Sequence, residues 1–174
     1  GDGIAPRKDQ QADRHYFLWN CGPAFACHYN NELSCAWGGI KVLQALGKIP
    51  TAMRTSQVES AIQTAVDFFL SIDPLTADYP TRSGTRPNPN WWKLSFPVFY
   101  VSDILQLLEA FVGVGYADDP RLANAFSFIL NKQDENGRWT LEHEYKTWYK
   151  FGPLNKPNKW VTFRAVRVLK QIYS

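Results

Sequence analysis

The stretch FILNKQDENGRW, residues 128–139, decides the predicted fold of this chain. The residues from Phe128 to Leu130 have the spacing of a buried helix end, and polar residues follow them at once. Gln133 can supply both donors and acceptors to the backbone groups that a helix end leaves unpaired. Gly137 permits a turn with a positive φ angle. Trp139 then covers the seam to the next element, so the stretch predicts a capped helix that docks on a neighbour.

Four more segments carry apolar residues at helical spacing between capping residues and helix-ending glycines or prolines. Ser34 is the expected N-cap of the first segment, and Thr55 or Ser56 is that of the second. Asp119, followed by a proline, starts the helix that leads into the stretch above. The five predicted helices are 34–50, 55–73, 102–115, 119–133 and 158–173.

The predicted helices repeat along the chain. VLQAL at 42–46 aligns with LLEAF at 107–111 and with VLKQI at 168–172, at offsets of 65 and 61 residues. AVDFFLS at 65–71 aligns with AFSFILN at 125–131, at an offset of 60 residues. The unit is a helix, a short turn, a second helix and a long loop, so the chain carries two units and the first helix of a third. Helix pairs of this kind bury their apolar faces on their neighbours.

The same patterns divide the chain into an irregular N-terminal segment, residues 1–33, and one repeat region, residues 34–174. A chain of 174 residues suits a single domain with a real core. No apolar run approaches the roughly 18 residues that cross a membrane, so no transmembrane segment is expected.

Charge is scattered along the chain, and the net charge is only +3. Arg164, Arg167 and Lys170 share one face of the last predicted helix, and we interpret that face as solvated. Nucleic-acid binding is not supported, because no basic groove motif accompanies these residues.

Aromatic residues make up 15% of the chain, which hints at an aromatic-lined surface as well as a core. Five of them are candidate ligand-binding residues, because rings on long loops can stack on sugars or on prenyl chains. The alternative is that the indoles wedge beneath the loops. The candidates are Trp37, Trp91, Trp92, Tyr100 and Trp148.

Asp103 is the candidate catalytic residue. A carboxylate at the inner end of a helix that faces an apolar cavity would have a raised pKa and could act as an acid. The alternative is that Asp103 is the N-cap of its helix. Glu142, His143 and Glu144 offer a second set of acid and base groups on a loop.

Cysteine and histidine cluster near the N-terminus. The spacing of the cluster fits no standard zinc knuckle, but four soft ligands lie within a short segment, so zinc is the one metal to consider. The alternative is a set of small buried thiols beside an imidazole. The candidate ligands are Cys21, Cys27, His28 and Cys35.

The odd number of cysteines argues against a full disulfide framework and favours a reduced, cytoplasmic chain. One disulfide with a remaining thiol is the alternative.

The opening stretch resembles the QW repeat of the squalene-hopene cyclase and prenyltransferase-type α/α-toroid superfamily. That repeat reads aromatic, aliphatic, three residues, Gln, a short spacer, Gly, any residue and Trp. Its places are filled by Phe128, Ile129, Gln133, Gly137 and Trp139. The basic residue that usually opens the motif is off register, because Arg121 lies too far upstream.

Three further segments resemble bacterial squalene-cyclase-like proteins of unassigned activity, so the resemblance covers residues 34–174 and implies a bacterial-like protein. In the family the Gln caps a helix end and its amide stacks on the Trp, which implies a structural role for Gln133 and Trp139. The three segments are CAWGGIKVLQALGKIP, FPVFYVSDILQLLEAF and KPNKWVTFRAVRVLK.

The resemblance implies an all-α fold, a partial α/α toroid built of repeated helix pairs with long Trp-containing loops. Complete toroids of the family use about six pairs, so an open arc exposes apolar faces that need a cover. Further repeats, the N-terminal segment or a second copy in a homodimer would supply it.

Class II cyclases of this superfamily protonate an alkene with the middle acid of an Asp-x-Asp-Asp motif. The nearest string here, YADDP at 116–120, lacks the first Asp. We therefore expect a module without a complete catalytic motif that binds an apolar small molecule or a protein partner on a concave aromatic face. A terpene cyclase or prenyltransferase domain acting on a polyprenyl substrate is one alternative. A carbohydrate-binding or carbohydrate-active toroid is the other. No cofactor is expected unless the Cys/His cluster holds zinc.

Overall fold

The computed structural model describes residues 26–27, 30–31, 33–81, 88–99, 101–145 and 149–173. Four of the predicted site residues lie outside these ranges: Cys21, His28, Tyr100 and Trp148. Of Cys27, only the backbone is described.

The described residues form an all-α structure, as predicted. Its five helices are α1 Ala36–Leu46, α2 Ser56–Leu70, α3 Ile104–Val114, α4 Ala123–Asn131 and α5 Lys159–Tyr173. Two short strands, β1 Ala26–Cys27 and β2 Leu33–Ser34, pair antiparallel before α1. No helix within the described ranges is long and apolar enough to cross a membrane.

The N-caps follow the predicted chemistry with one correction. Cys35, and not Ser34, caps α1, and its Sγ accepts a hydrogen bond from the Gly38 amide. Ser34 is unavailable because it belongs to β2, where it pairs with Ala26. Thr55 caps α2 through the Val58 amide, as one of the two alternatives predicted.

The predicted fourth helix begins later than its sequence signals suggest. Asp119 caps a 3₁₀ turn, Pro120–Leu122, and α4 follows from Ala123.

The described helices pack around α3. Helices α1 and α5 lie on either side of α3, α2 packs on α1, and α4 packs against α3 and α5. Helix α3 is the most enclosed element, with eight of its residues buried. Its apolar residues meet those of α1, α2 and α5 in one continuous core that includes Ile40, Ile62, Phe69, Leu107 and Val161. The layer of α1, α3 and α5 is called the inner layer below.

Two of these helices touch through glycine at their C-terminal ends. A Cβ atom added to Gly47 would lie 2.9 Å from the carbonyl carbon of Gly113. A Cβ atom added to Gly113 would meet only the Cα of Gly47, at 3.9 Å, which is an ordinary contact. The approach of α1 to α3 therefore depends on the missing side chain of Gly47.

The long loop after α2 is fastened by its two indoles. Trp91 donates its indole N–H to the Pro74 carbonyl at 2.9 Å, and Trp92 donates to the Leu75 carbonyl at 2.8 Å. Both hydrogen bonds hold the end of the loop against its beginning. Trp91 is 2% exposed.

We expect Gly47→Ala to lower the free energy of unfolding by about 1–3 kcal/mol, because the new methyl group meets rigid backbone across the helix contact. Gly113→Ala is the matched control. It should be neutral or slightly stabilising, since its Cβ has room and alanine favours the helix by about 1 kcal/mol. Urea denaturation of the two variants measures the difference. Equal costs in both variants would contradict the described contact.

Candidate functional site

A buried ion cluster lies where the N-terminal half of α3 meets α5. Asp103 is the N-cap of α3, and its Oδ1 accepts the Gln106 amide at 2.7 Å. The two oxygens of Asp103 also accept hydrogen bonds from Arg164 of α5, both at 3.1 Å. Arg164 turns its other side to Glu109 on α3, with Nη2 2.9 Å from Oε2. One guanidinium thus bridges two carboxylates of the neighbouring helix.

This cluster also fastens the loop that precedes α3. The Ser95 amide and hydroxyl donate to Asp103 Oδ2 at 3.0 Å and 2.8 Å. The Ser95 carbonyl accepts from Arg164 Nη1 at 2.6 Å. Every backbone polar group of Ser95 is therefore held by the ion pair, and the residues next to it in the loop are positioned with it.

The electrostatics of the cluster favour its charged form. Burial alone would raise the pKa of Asp103, but the charge and hydrogen bonds of Arg164, with those of Ser95 and Gln106, outweigh it. The pKa of Asp103 therefore lies below its ordinary value. The expectation of a raised pKa at Asp103 is wrong, because the carboxylate faces a guanidinium instead of an apolar cavity. The N-cap alternative is confirmed.

A polar contact through Gln106 extends the cluster to α1. Lys41 donates to Gln106 Oε1 at 2.7 Å, and the side-chain amide of Gln106 donates from Nε2 to Gln44 Oε1 at 3.0 Å. Burial lowers the pKa of the Lys41 ammonium to about 8, against the opposing attraction of Asp103. The inner layer is therefore joined by one continuous polar seam from α1 through α3 to α5.

Arg164 corrects the interpretation of the last helix. The solvated face predicted for Arg164, Arg167 and Lys170 is wrong for Arg164, which is buried. Arg167 is exposed but still reaches Glu109, at 2.9 Å. The acidic residues of α3 explain the difference, because they are the partners that Arg164 needs in the interior.

Aromatic rings gather on the loop that Ser95 anchors. Phe96 stacks on Trp160 with ring centroids 5.2 Å apart and an interplanar angle of 5°. Phe151 meets Phe96 edge-on, at 5.0 Å. Phe99 of the same loop meets Tyr145 edge-on, at 6.2 Å. These five residues are called the aromatic platform below.

The platform is open to solvent at three of its rings. Phe99, Tyr145 and Trp160 are among the exposed large hydrophobic residues of the chain. Lys159 lies over the Trp160 ring, with Nζ 5.2 Å from the centroid. The platform therefore exposes the faces or edges of three aromatic rings to solvent, and a lysine ammonium group lies beside one of them.

The acid and base groups on the adjoining loop are already engaged. Glu142 pairs with Lys132 at 2.6 Å and accepts the Leu94 amide at 2.8 Å. Glu144 pairs with Lys150 at 3.2 Å. Burial, and then the charge of Lys93, lowers the pKa of His143 below its ordinary value, so its imidazole is neutral near pH 7.

The structure describes three of the five predicted ligand-binding residues. Trp91 and Trp92 wedge beneath their own loop, which matches the alternative given for them. Trp37 lies on α1 and is half-buried against the core. Tyr100 and Trp148 lie outside the described residues. Sequence reasoning missed the platform residues, although three of them belong to the two loops already noted for their indoles.

The predicted metal site stays a prediction. Among the residues that the structure describes, no group of three or more His, Cys, Asp or Glu could hold a metal ion. Two members of the proposed cluster, Cys21 and His28, lie beyond that part of the chain. Cys35 serves as the cap of α1.

The opening stretch uses its indole as the helix cap. Trp139 is buried, and its Nε1 donates to the Ile129 carbonyl of α4 at 2.7 Å. Gly137 has a φ of +73°, as predicted. Gln133 is exposed, and a Cβ on Gly137 would lie 3.4 Å from its amide nitrogen. The Trp therefore fills the capping role that the resemblance gives to Gln133, and Phe128 lies half-buried behind it.

Comparisons of the chain with protein-family models, with curated proteins and with solved structures found no match. The resemblance to squalene-cyclase-like proteins therefore stays a prediction.

We expect Arg164→Met to lower the free energy of unfolding by about 3–5 kcal/mol, because the buried Asp103 carboxylate loses its cation and Glu109 keeps only Arg167. Arg167→Met is the matched control on the same helix, and it should cost about 1 kcal/mol or less, since the Arg167 side chain is 54% exposed. Urea denaturation near pH 7 measures both variants. A small cost for Arg164→Met would contradict the cluster.

We expect Trp139→Phe to lower the free energy of unfolding by about 1 kcal/mol, because the Ile129 carbonyl loses its shorter hydrogen bond and keeps only the Lys132 amide, at 3.2 Å. Gln133→Ala should change it by no more than about 0.5 kcal/mol, since the side chain is exposed. Thermal and urea unfolding test the pair. A larger loss in Gln133→Ala than in Trp139→Phe would restore the capping role to Gln133.

Proposed function

We propose that this chain is a squalene-cyclase-like α/α-toroid module that binds an apolar small molecule on the aromatic platform. The observation that carries the proposal is the way the buried pair of Asp103 and Arg164 anchors Ser95, while the next residues of that loop present rings to solvent. A buried ion pair that fixes an exposed ring cluster is an arrangement suited to binding, because the rings are held in place before a ligand arrives.

The arrangement of the helices supports the toroid part of the proposal. Gln44 bonds to Gln106, and further along the same two helices Gly47 approaches Gly113, so α1 and α3 run in the same direction. Arg164 and Arg167 contact α3 in the corresponding order. Parallel first helices with second helices outside them are what a closed ring of helix pairs requires.

The state of the ionisable groups supports binding over catalysis. A general acid needs a proton to give near neutral pH, and the pKa of Asp103 is shifted away from that range. Glu142 and Glu144 are each paired with a lysine. Asp119 of the YADDP string is paired with Arg121 and caps a turn.

The ligand chemistry follows from the rings. Trp160, Phe99 and Tyr145 offer flat, weakly polar surface, and the neighbouring imidazole of His143 is neutral near pH 7. A polyprenyl chain would gain from contact with such surface, because each buried CH₂ group contributes about 0.8 kcal/mol.

The carbohydrate alternative has less support. It rested on the loop indoles, and both Trp91 and Trp92 use their N–H groups to fasten the loop. The cyclase or prenyltransferase alternative and a protein partner on the platform are kept as outcomes of the experiment.

We expect farnesol, a polyprenyl alcohol, to bind the full chain and to change its tryptophan fluorescence. Trp160→Ala should weaken binding by about tenfold, since it removes the stacked ring at the centre of the platform. Met53→Ser is the control, because Met53 is an exposed apolar residue in a turn near the C-terminal ends of α1 and α3. Isothermal titration measures all three proteins.

Equal affinity in the parent chain and in Trp160→Ala would overturn the platform as the site. Saturable binding of a cello-oligosaccharide without binding of farnesol would favour the carbohydrate alternative. Conversion of farnesyl diphosphate or squalene, followed by mass spectrometry, would replace the binding module with an enzyme.

A further inference from the structure

The outward face of α5 exposes large apolar side chains. Phe163 is 60% exposed and Val166 is 48% exposed, one helical turn apart. Lys170 continues the same stripe and is exposed. These three residues are called the α5 face below. Large apolar side chains grouped in this way on a surface indicate an interaction site.

The alignment of the repeats shows which residues of the α3 region are equivalent to the α5 face, so their burial can be compared. The offset of 61 residues that aligns VLKQI with LLEAF places Phe163, Val166 and Lys170 over Ser102, Leu105 and Glu109 of the α3 region. Ser102 and Leu105 are fully buried. Glu109 is covered by Arg164 and Arg167 of α5, the next helix in the layer. The positions that α3 buries are therefore the ones that α5 leaves open.

Charge in the inner layer alternates from helix to helix. Helix α1 carries Lys41 and no acidic residue, and α3 carries Glu109, with Asp103 as its cap, and no basic residue. Helix α5 carries four basic residues and no acidic one. The contact between α3 and α5 is made by opposite charges, and the contact between α1 and α3 places Lys41 within the field of Asp103 and Glu109.

We propose that the α5 face docks an acidic amphipathic helix of a partner protein. Its apolar stripe would cover Phe163 and Val166. Its carboxylates would approach Lys170 and the half-exposed side chain of Arg167, whose guanidinium already contacts Glu109 and the Phe163 ring. Basic and acidic helices would then continue to alternate along the layer, because the partner helix would place carboxylates against α5 as α3 does on its other side. This inference does not depend on the proposed ligand.

A second copy of the chain fits this face less well. Among the described helices, α1 and α5 are basic, so either would repel a second α5. Helix α3 is enclosed. Helix α2 is acidic, but its exposed residues are polar and offer no apolar stripe to Phe163. Helix α4 exposes Leu130 but carries no charged residue to complement α5. The charge pattern therefore favours an acidic helix that is not among the described ones.

The test uses two synthetic amphipathic helices with the same leucine stripe, one flanked by Glu and the other by Lys. Fluorescence anisotropy measures the binding of each labelled peptide to the full chain. We expect the Glu peptide to bind at least about tenfold more tightly than the Lys peptide, with an affinity that falls as salt rises.

Two variants of the chain locate the site. Phe163→Ser combined with Val166→Ser should weaken binding of the Glu peptide by about tenfold or more, because it removes the apolar contact. Lys170→Glu should weaken it several-fold, and Lys48→Glu, an exposed lysine just beyond α1, should leave it unchanged. Both Phe163 and Val166 are exposed, so unfolding curves should confirm that the double variant folds.

Equal affinity for the two peptides, or an unchanged affinity in the double variant, would overturn the proposal. Sedimentation of the chain alone supplies a further check. If the parent chain sediments as a dimer and the double variant as a monomer, a second copy of the chain covers the face. Loss of farnesol binding with retained peptide binding in Trp160→Ala would separate this surface from the platform.

Discussion

The contact between Arg164 and Asp103 is the constraint on which the other features depend. A buried guanidinium must find carboxylates, and α3 provides one at its cap and one a turn and a half further on. That requirement fixes how α5 lies along α3, ties Ser95 to both helices and so positions the platform loop. Replacing the whole cluster by apolar residues could leave a stable core. It would remove the side-chain hydrogen bonds to Ser95 and leave the loop to its backbone contacts with Glu142 and His143.

The aromatic residues of this chain fall into two groups. Trp91, Trp92 and Trp139 donate their indole N–H groups to backbone carbonyls, and each of them holds a loop or a helix end in place. Phe96, Phe99 and Trp160 instead contact other rings and reach the surface. A buried indole needs an acceptor, whereas a ring at the surface does not. The distinction separates the structural aromatic residues from the candidates for binding without reference to any relative.

The helices could be predicted because their signals are local. Asp103 and Thr55 cap the helices that were predicted for them, and Asp119 caps the short 3₁₀ turn that leads into α4. Gly137, which precedes Trp139, adopts the positive φ angle that was predicted for it. The buried state of Arg164 could not be predicted from α5 alone, because its partners lie 55 and 61 residues away. The repeat offsets hold that information, since they place Arg164 beside an acidic helix. The platform was missed for a similar reason, because its rings come from two loops and from the start of α5, which only the folded chain brings together.

The contact of Gly47 with Gly113 is one end of the seam between α1 and α3. At that end the backbones of the two helices touch, and no side chain separates them. Towards the other end, Lys41, Gln44 and Gln106 meet between the same helices through their side chains. The seam therefore changes along its length from side-chain contacts to bare backbone, and only the end without side chains lets the two helices touch directly.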